Sequence, residues 1–340
     1  MAEPKASNPK QQLDQGICQQ FGWSRRYFQD EATNRWAVEV RTGLGAEGLH
    51  RFTSDCDQAG KEGAKRGEAA AAALAVSGLD PIVQRHMAKP AVSMDAAFGA
   101  QFDAAARVVE PQSGDGGWGV FWQQNPRVVG IDVEGNSSMP PVLVQVATRS
   151  LVVLEAPRGG GRGGRAGSGG DSADPVAGLS PDLRRLLDDR SILKVMCEGS
   201  SGSDKRSLGL SGAEARADIV DLEDLATELA GPVAVQRGLA RILGLALPRL
   251  PVRVAKERRD ARWKGSKDAA SPVMFFVAIE QGWRAPLGGV REVPPAVKRY
   301  AALDAWCTLV AWEGLVGEAR PAASGAASQQ AAPAPALAFS

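Results

Sequence analysis

The chain has 340 residues, and its 40 Lys+Arg against 39 Asp+Glu leave a net charge of +1. That balance points to neither a nucleic acid nor a membrane as partner, although local patches of either sign can lie beneath it. The four cysteines (Cys18, Cys56, Cys197, Cys307) are scattered without a C-x-x-C pair, which argues against a zinc site and a secreted disulfide framework. A reducing intracellular compartment, nucleus or cytoplasm, is the expectation. No apolar run reaches membrane-spanning length, and MAEPKASNPKQQ has no hydrophobic signal core. Both histidines, His50 and His86, lie in the first hundred residues, so chemistry further along must use carboxylates, tyrosine, lysine and bound ions.

Residues 1–80 are expected to form one small module. NPKQQLDQGICQQFGWSRRYFQ, RWAVEVRT, FTSDC and KEGAKRGEAAAAAL read as helix, strand, strand, strand, helix, the last helix closed by Gly78 and Pro81. Residues 81–125 carry apolar residues without a strong period, then the Gly-rich SGDGGWG (113–119), and read as a linker with room for one helix. A new pattern runs over 126–318. RVVGIDVEG (127–135), PVLVQVAT (141–148) and SLVVLEAP (150–157) are β-branched runs separated by turn residues, hence a three-strand meander.

The Gly/Arg-rich stretch at 158–175 reads as a surface insertion, with an RNA-contacting loop as the sharper alternative. LSPDLRRLLDD (179–189) is a helix with Ser180 as N-cap and Pro181 in its first turn. ILKVMCEG (192–199) is a strand, ADIVDLEDLATELAG (217–231) a short strand entering a helix, and RGLARILGL (237–245) a helix. A second insertion covers about 264–294, the last helix begins at 295, and 319–340 is a low-complexity tail expected to be disordered. Strands followed by alternating strands and helices predict an α/β domain with a mixed sheet flanked by helices.

Two acidic patterns stand out. Asp132 and Glu134 are two apart on a strand and therefore share a face, which is costly unless something positive lies between them. A divalent ion such as Mg²⁺ fits that need, because it takes oxygen ligands and stays partly hydrated; the other reading is a solvated strand end with two surface acids. Tyr300 and Asp304 are four apart on the final helix and share its inward face with apolar neighbours. Either they form a structural hydrogen-bonded pair or both point into a reaction site.

The ordered set, IDVEG, an acid after a later strand and YAALDA, resembles the tyrosine form of the DEDD exonuclease superfamily, the group of ribonuclease D and the Werner-type exonuclease. DIVDLEDLA (218–226), RGLARILGL and KERRDARW (256–263) fall where that family has comparable segments. The resemblance implies a ribonuclease-H-like fold and a metal-dependent 3′–5′ exonuclease. Asp132, Glu134, Asp204 and Asp304 would bind two Mg²⁺ or Mn²⁺ ions, and Tyr300 would hydrogen-bond the attacking water. Glu198 is the alternative third acid, since a Ser/Gly insertion separates the strand from Asp204.

The N-terminal module resembles a double-stranded-RNA-binding domain. The matching points are Pro9-Lys10 with Leu13, Tyr27 before the first strand, Trp36-Val38-Val40 alternating, and Lys61, Ala64 and Lys65 before the alanine run. The resemblance implies RNA contacts from Lys10, Lys61, Lys65 and Arg66, with lysines at a helix N-terminus meeting phosphates across the A-form groove. Glu62 stands where a second lysine is expected. The expected partner is RNA, structured or double-stranded, with no membrane. A DNA exonuclease and an inactive RNA-binding protein on the same fold are the other readings.

Overall fold

The computed structural model describes residues 8–21, 23–43, 48–57, 60–111, 116–134, 141, 143–157, 178–198, 203–210, 216–230, 238–254 and 295–319. The Gly/Arg-rich insertion, the 256–263 stretch, the 264–294 insertion and the tail beyond Ala319 lie outside the described residues.

Asn8 caps the first helix by accepting from Lys10 N at 3.0 Å, with Pro9 at the first position, where no donor is lost. That helix, α1, joins Pro9–Gln11, the wider turns of Gln12–Cys18, and Gln19–Phe21. Strands β1 (Ser24–Asp30), β2 (Arg35–Arg41) and β3 (Leu49–Thr53) form an antiparallel sheet in that order, and α2 spans Gly60–Ala88. The module is therefore the small α-β-β-β-α unit expected. Leu13, Val38, Val40, Ala71, Ala72, Ala75 and Leu79 form its core. Tyr27 lies in the middle of β1 rather than before it, its hydroxyl donating to Asp14 at 3.0 Å.

Gly78 and Pro81 do not end α2. A Cβ at Gly67 would collide with the Trp36 ring and one at Gly78 with the Phe52 ring, so these glycines let the helix lie close on the sheet. The helix continues through Pro81 to Ala88 because Ile82 and Val83 still pack on the module's core. Tertiary packing here outweighs the donor lost at proline.

The second sheet has six strands in the order β10-β9-β6-β7-β8-β5. They are β5 (Arg107–Val109), β6 (Val128–Glu134), β7 (Leu143–Ala147), β8 (Leu151–Glu155), β9 (Leu193–Met196) and β10 (Ile219–Asp221). The β6–β7–β8 meander is antiparallel, β9 pairs parallel with β6, and β10 pairs parallel with β9. This is the ribonuclease-H-like mixed sheet expected. The short pair β4 (Ala91–Val92) and β11 (Arg253–Val254) stands apart.

Helices cover both faces. On one side Val129, Ile131 and Val133 meet α4 (Gly117–Gln123) and α5 (Pro181–Asp188), the latter capped by Ser180 Oγ accepting from Leu183 N at 3.1 Å. On the other lie α3 (Met94–Ala105), α7 (Leu222–Ala230), α8 (Leu239–Ala246) and the long α9 (Pro295–Ala319), burying Phe98, Phe102, Ile242, Leu243, Trp306 and Val310.

Residues 94–111 and 117–123 are thus part of this domain and not a linker: β5 extends the sheet beside β8, and α3 packs under α9. Phe98 and Phe102 are almost fully buried, each worth about 1.5–3 kcal/mol. The lack of a clear helical period concealed that role.

Candidate active site

Alternation along β6 sends Gly130, Asp132 and Glu134 to the face crossed by α9. A Cβ at Gly130 would collide with the Ala305 carbonyl oxygen and stand 3.1 Å from Leu309 N. Glycine at this position lets the helix backbone approach the strand, and Asp304 adjoins that contact. Asp132, Glu134 and Asp304 each bring a carboxylate oxygen to within 4.8 Å of the other two, all three side chains being half-buried.

Tyr300, one turn before Asp304, is half-buried, and its hydroxyl hydrogen-bonds the Asp304 carboxylate. Burial first, then the charges of Asp304, Glu134 and Asp132, push the phenol far above its usual range. The helix carrying this pair is pinned by ion pairs from Lys298 to Glu110 at 2.6 Å and from Arg299 to Asp95 at 2.9 Å and to Asp103. Trp306 packs edge-on to Phe102 with centroids 5.8 Å apart. Lys298 and Arg299, just before Tyr300, thus hold α9 to the segment before β6.

Asp204 lies in the first turn of α6 (Ser203–Ser207). Burial and the Asp204 charge raise Asp132 to about 7, and the same two causes, in that order, raise Glu198 to about 7. Glu198, just past β9, accepts a hydrogen bond from Lys205 N and so caps the α6 turn. Cys197 is pushed up by burial and by the charges of Glu223, Asp221, Asp132 and Asp304.

Three residues here were not singled out from the sequence: Lys205, Asp221 and Glu223. Asp221 Oδ2 accepts from Lys205 Nζ at 3.2 Å and Oδ1 from Glu223 N at 2.9 Å, while Glu223 Oε1 accepts from Gly238 N at 2.7 Å. A second D-x-E at a strand end, in IVDLED, was the available signal. The donor set of Asp132, Glu134 and Asp304 is all hard carboxylate oxygen in a small space. That chemistry fits Mg²⁺ or Mn²⁺ and not a thiolate- or imidazole-seeking metal.

In the N-terminal module Lys61, Lys65 and Arg66 are exposed in the first two turns of α2, and Lys65 pairs with Glu62 at 2.9 Å. Lys10 is bound to Glu68 and lies 4.8 Å over the Tyr27 ring.

Neither a family model nor a curated protein matches the chain. Among solved structures it is similar to the EXO domain of Aedes aegypti Nibbler, at 14% identity and a TM-score of 0.37, over 63% of this chain and 88% of that one. It is also similar to the EXD2 exonuclease domain soaked in Mg and dGMP, at 20% identity and a TM-score of 0.26, over 62% and 90%. The same domain soaked in Mn and GMP gives 20% and 0.26, over 63% and 91%. Likeness of this degree concerns the fold at most and says nothing of activity or substrate.

Proposed function

We propose that the chain is a metal-dependent 3′–5′ exonuclease acting on RNA, with Asp132, Glu134, Asp204 and Asp304 as the acids and an N-terminal module that holds duplex RNA. The observation that carries the reading is the convergence of Asp132, Glu134 and Asp304 within 4.8 Å, with the Tyr300 hydroxyl on Asp304. Clustered half-buried carboxylates repel one another, and a fold retains such a cost where it gains a function. Asp204 is favoured over Glu198 as the third acid because its charge is the one that acts on Asp132, whereas Glu198 is engaged in capping α6.

Bound divalent ions would supply a water of lowered pKa and charge stabilisation at phosphorus and the leaving oxygen. The protein's own part is to orient. Asp132 and Glu134 are held by pairing with Gln145 and Leu143 of β7, and Asp304 by a helix fixed at its N-terminal end. Tyr300 keeps its proton at neutral pH, so it acts as a hydrogen-bond donor and orienting group, never as the base. In the module, Lys61, Lys65 and Arg66 would meet phosphates at the α2 N-terminus.

The test is purified full-length protein with 3′- and 5′-labelled single- and double-stranded RNA and DNA, in Mg²⁺, Mn²⁺ or EDTA. Expected are mononucleotides from the 3′ label, a shortening ladder from the 5′ label, preference for RNA, and no cleavage in EDTA. Cleavage that persists in EDTA, or none with either ion, would refute the reading. Lys61→Ala with Lys65→Ala should weaken duplex-RNA binding alike for all sequences and flatten its salt dependence.

A further inference from the structure

Helix α6 has only five residues, too short to be stable by itself, so tertiary ties must hold Asp204 in place. Two of them come from one residue. Lys205 N donates to Glu198 at the end of β9, and Lys205 Nζ forms an ion pair of 3.2 Å with Asp221 at the end of β10. The Asp221 side chain is 2% exposed and the Lys205 side chain 26%. A buried carboxylate requires a partner, and here the partner is the residue next to the third acid. Leu208, fully buried in the core on the opposite face of the sheet from α9, supplies the apolar anchor one turn later.

We propose that Lys205 is a positioning residue for the acid cluster: by bridging Glu198 and Asp221 it fixes the α6 turn so that Asp204 faces Asp132. The proposal rests on the metal-site reading above. It assigns Lys205 no contact with substrate. Its ammonium also offsets the crowd of carboxylates, since its charge opposes that of Asp204 at Glu198. The backbone tie to Glu198 survives any side-chain change, so substitution tests the Asp221 arm alone.

The experiment uses the full chain and reads Mn²⁺ binding by electron paramagnetic resonance without substrate, alongside turnover and melting temperature. Lys205→Met removes the ammonium and keeps the apolar stem; Asp221→Asn removes the other half of the pair and keeps its shape. Each should weaken Mn²⁺ binding by about 10–100-fold, the range for residues that orient metal ligands, with turnover falling in parallel. The Lys205→Met/Asp221→Asn double variant should lose no more than either single one, because both break the same tie. Lys205→Arg, which keeps the ion pair, should bind Mn²⁺ close to wild type.

Wild-type Mn²⁺ affinity in a folded Lys205→Met would overturn the proposal. So would recovery of affinity in the double variant, which would mean that Lys205 only neutralises Asp221. If Lys205→Met does not fold, Asp221→Asn with Lys205→Arg decides on the same criteria. Failure of the wild type itself to bind Mn²⁺ would instead refute the metal site, and the proposal with it.

Discussion

The same sheet holds its acids in two opposite ways. Before β10, Asp218 is enclosed by Lys194 Nζ at 2.8 Å and Arg216 at 2.6 Å, and these partners hold its carboxyl well below the usual range. Lys194 is fully buried and donates also to the Asp189 carbonyl. At the end of β6, Asp132 is shifted the other way, to about 7, by burial and by another acid. Structural acids are matched by cations of the chain. Acids whose surroundings are other acids carry a cost that a bound external cation would remove. That contrast identifies the site better than burial does, because Glu155 is more deeply buried, yet it is satisfied by Trp118 Nε1, Ser180 N and Ser180 Oγ.

The sharpest way to break the contrast is Asp132→Asn. Activity should fall by about 10³-fold or more, as expected when a metal ligand is lost, while the metal-free protein melts at the same temperature or higher because a repulsion is gone. A structural acid such as Asp218 should behave oppositely: Asp218→Asn should lower the melting temperature and leave turnover per folded molecule unchanged. Calorimetry with initial rates on both variants checks this.

Tyr300→Phe should slow hydrolysis by about ten- to a thousand-fold, with metal affinity unchanged and at most about 1–2 kcal/mol of stability lost. A folded, fully active variant would return the tyrosine to a packing role. Gly130→Ala follows. The added methyl group must push α9 off β6, at a cost of about 1–3 kcal/mol by overpacking, and should weaken Mn²⁺ binding by moving Asp304. Loss of stability without loss of Mn²⁺ affinity would separate the close approach from the site.

The smallest effect is in pH. For Asp132 the folded value lies above the ordinary 3.8, so the unfolded chain releases this proton first. Its contribution to metal-free stability therefore declines as pH rises from about 4 to about 7, and Glu198 acts in the same direction. His50 and His86, lowered by burial, oppose this trend as pH rises toward 6.5, so the quantity to measure is the wild-type minus Asp132→Asn difference. That difference should become less favourable to the wild type across this interval. A flat difference would remove Asp132 from its acid surroundings.

What could be read from sequence divides by range. The D-x-E strand and the Y-x-x-x-D helix are local periodic patterns, and the structure brings Asp132, Glu134 and Asp304 together. The capped helix at Ser180 and the meander were equally local. Hidden were the features that depend on partners distant in the chain. Residues 94–111 and 117–123 look irregular until β8 and α9 are beside them. Gly78 looks like a helix stop until Phe52 is seen against it. Lys205 and Asp221, 16 residues apart, show their tie only when β9 and β10 lie side by side. In the N-terminal module the α-β-β-β-α order was legible, but not that Lys10 and Lys65 are engaged by Glu68 and Glu62.

The most direct test of the central claim is Asp304→Asn beside the wild type on 5′-labelled single-stranded RNA, with Mg²⁺ titrated in and then removed by chelator. The account predicts cleavage that rises with Mg²⁺ and stops on chelation for the wild type, and none above background for a variant that melts like it. A folded Asp304→Asn protein that cleaves at the wild-type rate would contradict it.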